Sequence, residues 1–306
     1  MKNYCILCYE RVISHQYNME DFSMAIFTNQ ATLTYNGNII NSNVTTGELL
    51  EVLSATKVAV IDTYSQDSEI TYVINIVNSG TTAFTGLTLT DDLGEYVFGA
   101  LNLVPLDYVA GSIRYYQNGV LQTAPAVTAG PPLVVSGITV PAGGVASIIY
   151  VAETNQYAPL GSAESIVNTA VISGGGVSDI TVSETITPES EARLTITKNI
   201  CPTTVTENGV LTYTFTIQNT GNVPIVATDT VSITDTFNPI LTGLTVTYNG
   251  VTWTENTNYT YSETTGEFAT VLGQVTVPAA TYVQDSVTGV WVVEPGVSVL
   301  TVSGTV

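Results

Sequence analysis

Positive charge is scarce in this sequence. The 306 residues include only 6 Lys and Arg against 26 Asp and Glu, which gives a formal net charge of −20. A chain of this charge repels phosphate backbones and anionic membrane surfaces, so we predict no nucleic-acid partner. Because charged residues make up only 10% of the chain, the polar surface must come mainly from Thr, Ser, Asn and Gly.

Histidine and long apolar runs are scarce as well. The one histidine, His15, lies near the N-terminus, and no serine or cysteine can be matched with a plausible base, which argues against an enzyme. No apolar run approaches the roughly 20 residues of a membrane helix, so no membrane span is predicted. Acidic pairs such as Asp91-Asp92 lack the spacing of a metal-binding loop. We therefore predict neither a metal site nor a cofactor.

Cysteine occurs at only three positions, Cys5, Cys8 and Cys201. Cys5, Cys8 and His15 would give three ligands, whereas a structural zinc site needs four and no second pair follows. Two thiols in a plain N-terminal tail are the favoured interpretation. Cys201 is expected to be small and semi-buried, and a disulfide that joins it to the tail of another subunit is the alternative.

Strand patterns run through the chain. The segments EITYVINIVN at 69–78 and LTYTFTIQN at 211–219 alternate apolar and polar residues, as strands with one buried face do. Asn118-Gly119 and Asn249-Gly250 fit two-residue hairpin turns, because both residue types tolerate positive φ. No convincing helix pattern is found, so the sequence predicts an all-β fold.

The sequence contains an internal duplication. LSATK at 53–57 matches LTITK at 194–198, and ITY at 70–72 matches LTY at 211–213, both at a constant offset of 141 (198 minus 57). Asn78-Ser79-Gly80 matches Asn219-Thr220-Gly221 at the same offset. A constant offset indicates true duplication. We therefore predict two tandem immunoglobulin-like β-sandwiches, over residues 53–190 and 191–306, with residues 183–192 linking them.

These motifs resemble a conserved-repeat module of unknown function that occurs in tandem in bacterial and archaeal surface proteins. The shared features are a lysine that closes the first strand, a second strand that ends in Asn-x-Gly, a Thr-Asp, and a late Asn-x-Ala strand. The resemblance covers about residues 26–306. It implies immunoglobulin-like sandwiches similar to the stalk domains of Gram-positive pili and adhesins. It further implies a structural role outside the cell, on a cell or spore surface.

The first copy has a continuation that the second copy does not show. After its PAGG turn the first copy runs on through VNTAVIS at 167–173, whereas the given sequence stops at Val306, where that continuation would begin. The segment NQATL at 29–33 resembles NTAVI at 168–172. Its Asn29 precedes Lys57 by 28 residues, and Asn168 precedes Lys198 by 30. The N-terminal segment at 29–33 therefore resembles the continuation that the second copy does not show.

We predict that this N-terminal segment completes the second sandwich of a neighbouring identical subunit. Residues 26–52, including Asn29, Ala31 and Leu33, would be the donor strands, and residues 1–25 would be a separate arm. Because donor and acceptor lie at opposite ends of the chain, the contact is head-to-tail and generates a filament unless it closes into a ring.

Several alternatives remain open at this point. The N-terminal strands could fold back onto their own chain, LTYNG at 33–37 could instead be related to VTYNG at 246–250, or the sequence could be a fragment of a longer tandem adhesin or surface stalk. Binding of a glycan or host-surface ligand through aromatic residues is also open, although packing is favoured. The aromatic residues concerned are Tyr115, Tyr116, Trp253 and Trp291.

The resemblance also implies a covalent bond. In pilus-type domains, a first-strand lysine can form an isopeptide bond with a last-strand asparagine, assisted by a buried acid. The amine must lose its charge by burial, and a protonated carboxyl must polarise the amide. The residues implied are Lys57, Asp91 and Asn168 in the first sandwich, and Lys198 and Asp235 with Asn29 of a neighbouring subunit in the second. Alternatively, the lysines only oppose edge aggregation and the Thr-Asp pairs only form turns.

Overall fold

A computed structural model of the chain describes residues 24–306, with side-chain surroundings for 26–47 and 51–306. Cys5 and Cys8 lie outside the described residues. The chain forms two compact units, which meet in sequence between Ser54 and Ala55. The second unit, Ala55–Val306, contains both sandwiches described below. The predicted all-β fold is confirmed, since strands make up nearly all of the regular structure described. Between residues 24 and 306, no helix has the length and apolar character needed to cross a membrane.

The first unit is a two-stranded antiparallel ribbon, here called the N-terminal ribbon (residues 24–50). Its strands are β1 (Met24–Asn29), β2 (Thr32–Tyr35), β3 (Asn38–Asn41) and β4 (Thr45–Leu50). β1 pairs with β4 and β2 pairs with β3. The chain reverses at Asn36-Gly37, whose positive φ values of 49° and 79° are those of a tight hairpin turn. The side chains of residues 26–46 are all exposed.

The first sandwich (residues 53–190) consists of two sheets that face each other. Its strands are β5 (Leu53–Ala59), β6 (Thr63–Tyr64), β7 (Glu69–Asn78), β8 (Phe84–Asp91), β9 (Tyr96–Phe98), β10 (Leu101–Leu103), β11 (Leu106–Tyr108), β12 (Arg114–Gln117), β13 (Val120–Leu121), β14 (Ala126–Thr128), β15 (Leu133–Val140), β16 (Val145–Thr154), β17 (Ile166–Gly174) and β18 (Ile180–Pro188). One sheet has the order β13-β12-β16-β7-β5, with β11 also on β16, and the other has the order β14-β15-β8-β17-β18-β6. Buried side chains alternate strictly along β7 and β16, and they form the core between the two sheets.

The second sandwich (residues 191–306) repeats the first sheet of this plan and part of the second. Its elements are β19 (Leu194–Cys201), β20 (Val210–Asn219), a 3₁₀ helix (Ala227–Asp229), β21 (Thr234–Thr236), β22 (Thr242–Tyr248), β23 (Val251–Thr252), β24 (Tyr259–Tyr261), β25 (Glu267–Thr270), β26 (Thr281–Gln284), β27 (Trp291–Glu294) and β28 (Gly296–Thr305). One sheet has the order β19-β20-β28-β22-β23, and the other has only three strands, β21-β25-β24.

The duplication is visible in matched hydrogen bonds. Asn78 Nδ2 donates to the carbonyl oxygens of Thr82 and Pro141 at 2.8 and 3.0 Å. Asn219 Nδ2 donates in the same way to Val223 and Pro278, at 2.7 and 3.1 Å. Each asparagine is buried, so these bonds satisfy polar groups that would otherwise be costly to bury. The asparagine of each Asn-x-Gly motif therefore fixes the same loop in both sandwiches.

A hairpin present only in the second copy packs against the first sandwich. β26 pairs with β27, and Gln284 Nε2 donates to the Tyr96 hydroxyl at 2.8 Å. The backbone N–H of Trp291 donates to the carbonyl of Gln156 at 3.1 Å. Gly289, at the hairpin turn, lies so close to the Leu103 side chain that an added Cβ would be 2.3 Å from it. The β26–β27 hairpin of the second sandwich thus contacts the first sandwich at several points.

Candidate functional site

A buried ion pair joins the two sheets of the first sandwich. Lys57 is on β5 in one sheet, and Asp91 ends β8 in the other. Lys57 Nζ lies 2.8 Å from Asp91 Oδ2, and both side chains are 0% exposed. The alternation of β5 points Lys57 inward, while its neighbours Thr56 and Val58 are exposed. This pair is the centre of the cluster in the first sandwich.

Tyr150 connects this pair to Asn168. The Tyr150 hydroxyl donates to Asp91 Oδ2 at 2.5 Å, and Asn168 Nδ2 donates to the same hydroxyl at 3.1 Å. The fold therefore brings Lys57, Asp91 and Asn168, the three residues that the resemblance implied, into one cluster. Asn168 Oδ1 is buried without a hydrogen-bond partner among the described residues. Sequence reasoning did not single out Tyr150, although its inward position on β16, opposite Tyr72, is a usable signal.

Tyr72 forms one wall of the cluster. Its ring stacks on Tyr150 with centroids 5.3 Å apart, and Lys57 Nζ lies 5.0 Å from the Tyr72 ring centroid. Its hydroxyl is buried and has no hydrogen bond of standard geometry with any described residue, although the Asn168 side chain lies close enough to act on its pKa. Aromatic faces of this kind hold a cation while they exclude water. The Lys57 amine is therefore covered by the Tyr72 ring and paired with a carboxylate.

Burial controls protonation in this cluster. It lowers the pKa of Lys57, and the adjacent Asp91 carboxylate opposes this shift without cancelling it. Burial also raises the pKa of Tyr150 well above its ordinary value, and the nearby Asp91 adds to the rise. A lowered lysine pKa increases the neutral, nucleophilic fraction of the amine. The cluster thus holds an amine and an amide, shielded from water, at the two ends of one chain of hydrogen bonds through Asp91 and Tyr150.

The second sandwich repeats the ion pair in a more open setting. Lys198 Nζ forms an ion pair with Asp235 Oδ2, and the two side chains are 38% and 18% exposed. Lys198 Nζ lies 4.3 Å from the ring centroid of Tyr213, and 5.4 Å from those of Phe215 and Phe237. The aromatic wall is therefore present, and water reaches the charged groups.

Two parts of the first cluster lack a counterpart in the second. Val302 stands opposite Tyr213 across β28 and β20, where the first sandwich has Tyr150 opposite Tyr72. In the first sandwich β17 carries Asn168 along one edge of β8, whereas β21 pairs only with β25 within residues 24–306. The second site thus has a lysine and an acid, and its asparagine position is unfilled by the described part of the chain.

An open groove lies along this short sheet. It has a volume of about 590 Å³ and is lined by Thr234, Asp235, Thr236, Thr260, Glu267, Phe268 and Ala269. Across from it, Leu194, Ile196 and Ile200 of β19 are exposed. These apolar residues alternate along β19 with the same phase as Lys198. Because an unpaired edge and an apolar face occur together, this region is suited to accept additional strands.

The strands of the N-terminal ribbon pair in the same way as β17 and β18, which have no counterpart in this short sheet among residues 24–306. Asn29 of β1 stands opposite Thr45 of β4, just as Asn168 of β17 stands opposite Glu184 of β18. In β17, Ile166, Asn168, Ala170 and Ile172 face the core. The residues aligned with them are Phe27, Asn29, Ala31 and Leu33. The ribbon therefore matches β17 in its order of apolar residues and its asparagine, although β1 and β2 are separated at residues 30 and 31, where the pairing register shifts by one residue.

Cys201 and the four aromatic residues considered as ligand contacts have the following surroundings. Cys201 is exposed, contrary to the expected semi-buried position, because it ends β19 on the open side of the second sandwich. Tyr115 is buried, with its hydroxyl donating to the carbonyl of Thr139 at 2.5 Å. Trp253 stacks on Tyr248 with centroids 4.7 Å apart. Tyr116 and Trp291 are half-buried. These aromatic side chains are packed rather than displayed as a platform.

Comparisons with known proteins give structural similarity alone. No family model and no curated protein match the chain. The collagen-binding domain of a Staphylococcus aureus adhesin is similar over 45% of this chain and 97% of its own, with 12% identity and a TM-score of 0.29. The pilus backbone protein RrgB from Streptococcus pneumoniae is similar over 79% of this chain and 55% of its own, with 12% identity and a TM-score of 0.33. The full-length RrgB structure covers 89% of this chain, which spans 45% of that protein, at 12% identity and a TM-score of 0.34. The solved structures similar to this chain thus include a pilus backbone and an adhesin domain of Gram-positive surface proteins.

Proposed function

We propose that the protein is the structural subunit of an extracellular fibre, on a cell or spore surface, in which each subunit donates its N-terminal ribbon to the second sandwich of the next. One observation carries this proposal. The three-stranded sheet leaves β21 unpaired on the side where the first sandwich has β17 and β18, counting the strands between residues 24 and 306. The ribbon reproduces that pair of strands, with the same antiparallel register at its asparagine.

The register of the first sandwich indicates how the ribbon would dock. Ala170 of β17 stands opposite Asp91 of β8. The aligned residues are Ala31 of the ribbon and Asp235 of the acceptor. Pairing them would bring Asn29 of one subunit to the Lys198–Asp235 pair of the next. Each joint between subunits would then copy the strand pairing of the first sandwich, with Val302 in the place of Tyr150.

Apolar burial supplies a driving force for this docking. Phe27 and Leu33 on the ribbon, and Ile196 on the acceptor, are each more than half exposed. Complete burial of such a side chain contributes about 1.5–3 kcal/mol, and the unpaired backbone edge gains hydrogen bonds as well. Because the contact is heterologous, repeated docking extends a filament.

The fibre would be locked by isopeptide bonds at both sites. The neutral lysine Nζ attacks the asparagine side-chain carbonyl carbon, a C–N bond forms, and the bond from that carbon to the amide nitrogen breaks. The departing nitrogen takes the protons relayed by the aspartic acid and leaves as ammonia, so no oxidant or other reactant is needed. Lys57 and Asn168 would react within a chain, and Lys198 with Asn29 of a neighbouring subunit would react between chains.

Electron microscopy of the purified full-length protein tests the assembly. We expect filaments, and we expect none from a chain that lacks residues 1–52. Adding that shortened chain to the full-length protein should shorten the filaments, because the shortened chain accepts a ribbon and donates none. Full-length protein that stays monomeric at high concentration would overturn the proposal. That result would favour a stalk or adhesin segment of a longer protein, whose missing strands come from elsewhere in its own chain.

A further inference from the structure

We propose that the two lysine sites react at different times: the first during folding of a single chain, and the second only when a ribbon from another copy docks. This inference rests on the fibre function proposed above. The bond at the second site would then form only between correctly assembled subunits. The difference in exposure and in composition between the two sites carries the argument.

The first site is complete within one chain. Lys57, Asp91 and Asn168 come from β5, β8 and β17 of the same sandwich, and Tyr150 links the acid to the asparagine through two hydrogen bonds. Both charged side chains are 0% exposed. Every group that the reaction needs is therefore enclosed as soon as the first sandwich has folded.

Among residues 24–306 the second site is incomplete, and its charged groups are open to water. At 38% exposure, the Lys198 side chain keeps contact with water, which favours the charged ammonium. A charged ammonium has no lone pair with which to attack an amide. The carboxyl of Asp235, at 18% exposure, is also hydrated and paired with this cation. The free subunit therefore holds the two groups in position in an unreactive state.

A docking ribbon would change both conditions together. It would bring the Asn29 amide, and its apolar residues, including Phe27 and Leu33, would cover the exposed Lys198 side chain, which lies against the buried rings of Tyr213, Phe215 and Phe237. Loss of water removes the stabilisation of the ammonium, and a proton can then pass from Lys198 to Asp235. The neutral amine attacks the Asn29 carbonyl carbon, and one ammonia leaves for each joint formed.

Intact mass before and after assembly tests this order of events. Freshly isolated monomers should have lost the mass of one ammonia per chain, and filament subunits should have lost two ammonia masses per chain and should form a ladder in boiling detergent. Asn168→Ala monomers should have lost none. Lys198→Arg keeps the positive charge without an amine that can form the bond, so it should form filaments that dissolve to monomers.

Mixing two variants isolates the joint between chains. Lys198→Arg can donate a reactive ribbon, and Asn29→Ala can accept one. Neither variant should cross-link alone, and the mixture should give covalent dimers with no higher species, because each such bond joins one donor to one acceptor.

The outcomes separate this inference from the fibre function. Filaments whose subunits have lost one ammonia or none overturn the docking-activated bond and leave strand donation standing. Monomers that have lost two ammonia molecules overturn it as well, because the second bond would then have formed within one chain. Monomers that have lost none overturn the early reaction of the first site. Absence of filaments overturns both proposals.

Discussion

The Tyr150 hydroxyl donates a hydrogen bond of 2.5 Å to Asp91 Oδ2, across 59 residues of sequence and from one sheet to the other. The same oxygen atom of Asp91 receives the Lys57 ammonium. Since Asn168 donates to that hydroxyl, the tyrosine stands between the acid and the amide. The second sandwich has Val302 at the corresponding place, so the two copies share an ion pair and differ in how it is supported.

Replacing the two stacked tyrosines by phenylalanine should change the free energy of unfolding by different amounts. Tyr150→Phe removes a hydroxyl that serves two buried groups, so we expect a loss of about 1–3 kcal/mol in the free energy of unfolding. Tyr72→Phe removes a hydroxyl that is buried without a hydrogen bond, so we expect no loss or a small gain. Urea unfolding of both variants measures this. Equal losses in the two would contradict the assigned hydrogen bonds.

Stability should fall at alkaline pH because of the buried tyrosines. Burial raises the pKa of Tyr72 and of Tyr150 in the folded chain. Above the ordinary tyrosine pKa, about 10, the unfolded chain loses protons that the folded chain keeps, so the free energy of unfolding decreases as pH rises. Each such group contributes a slope of about 1.4 kcal/mol per pH unit.

Urea unfolding between pH 9 and 11 checks this dependence. Tyr72→Phe removes one of the titrating groups and should make the slope shallower, whereas Tyr108→Phe, at a half-exposed position, is the matched control. An unchanged slope in Tyr72→Phe would count against the burial of this hydroxyl.

The two lysines should differ in their contribution to stability once cross-linking is prevented. In the Asn168→Ala chain, adding Lys57→Met leaves Asp91 buried without its cation, and we expect a further loss of about 3–5 kcal/mol. Adding Lys198→Met to the same chain should cost about 0–1 kcal/mol, because water screens that pair. Chemical denaturation measures both values, and similar losses would mean that the two sites are equally buried.

Charged substitutions on the two faces of the ribbon should differ in their effect on filament assembly. Leu33→Asp places a charge on the face that is aligned with the inward face of β17, and we expect it to abolish filaments. Thr34→Asp places the same charge on the opposite face and should leave filaments intact. Both residues are exposed in a single chain, so neither variant should alter monomer unfolding. Filament yield by sedimentation checks this, and a larger effect of Thr34→Asp would mean that the face carrying Thr34 is the one that docks.

The β26–β27 hairpin should hold the two sandwiches together. Trp291→Ala removes a half-buried ring from this joint, and we expect a loss of about 2 kcal/mol with earlier unfolding of one sandwich. Val287→Ala, at the exposed turn of the same hairpin, should have no effect. Calorimetry shows whether one transition splits into two. A single unchanged transition for Trp291→Ala would mean that the hairpin does not couple the sandwiches.

Much of the fold was determined by local pattern in the sequence. Alternation along β7 and β20 fixed which side chains face the core, because successive strand residues point to opposite sides. The Asn118-Gly119 and Asn249-Gly250 turns have the positive φ values that the residue types predicted. The duplication placed Lys57 and Lys198 at equivalent positions, and with them one acid each. These features depend on neighbours within a few residues or on a repeated spacing.

Tertiary structure alone decided what surrounds those positions. Tyr150 reaches Asp91 only because β16 and β8 lie in facing sheets, and no local pattern encodes that contact. The same holds for the hydrogen bond from Gln284 to Tyr96, which spans 188 residues. Exposure separated the two lysines, because it depends on which strands cover a site rather than on the motif itself. The sequence by itself therefore determined where the reactive residue types lie. Packing decided which of them are shielded from water, which are exposed, and which lack a neighbouring strand among residues 24–306.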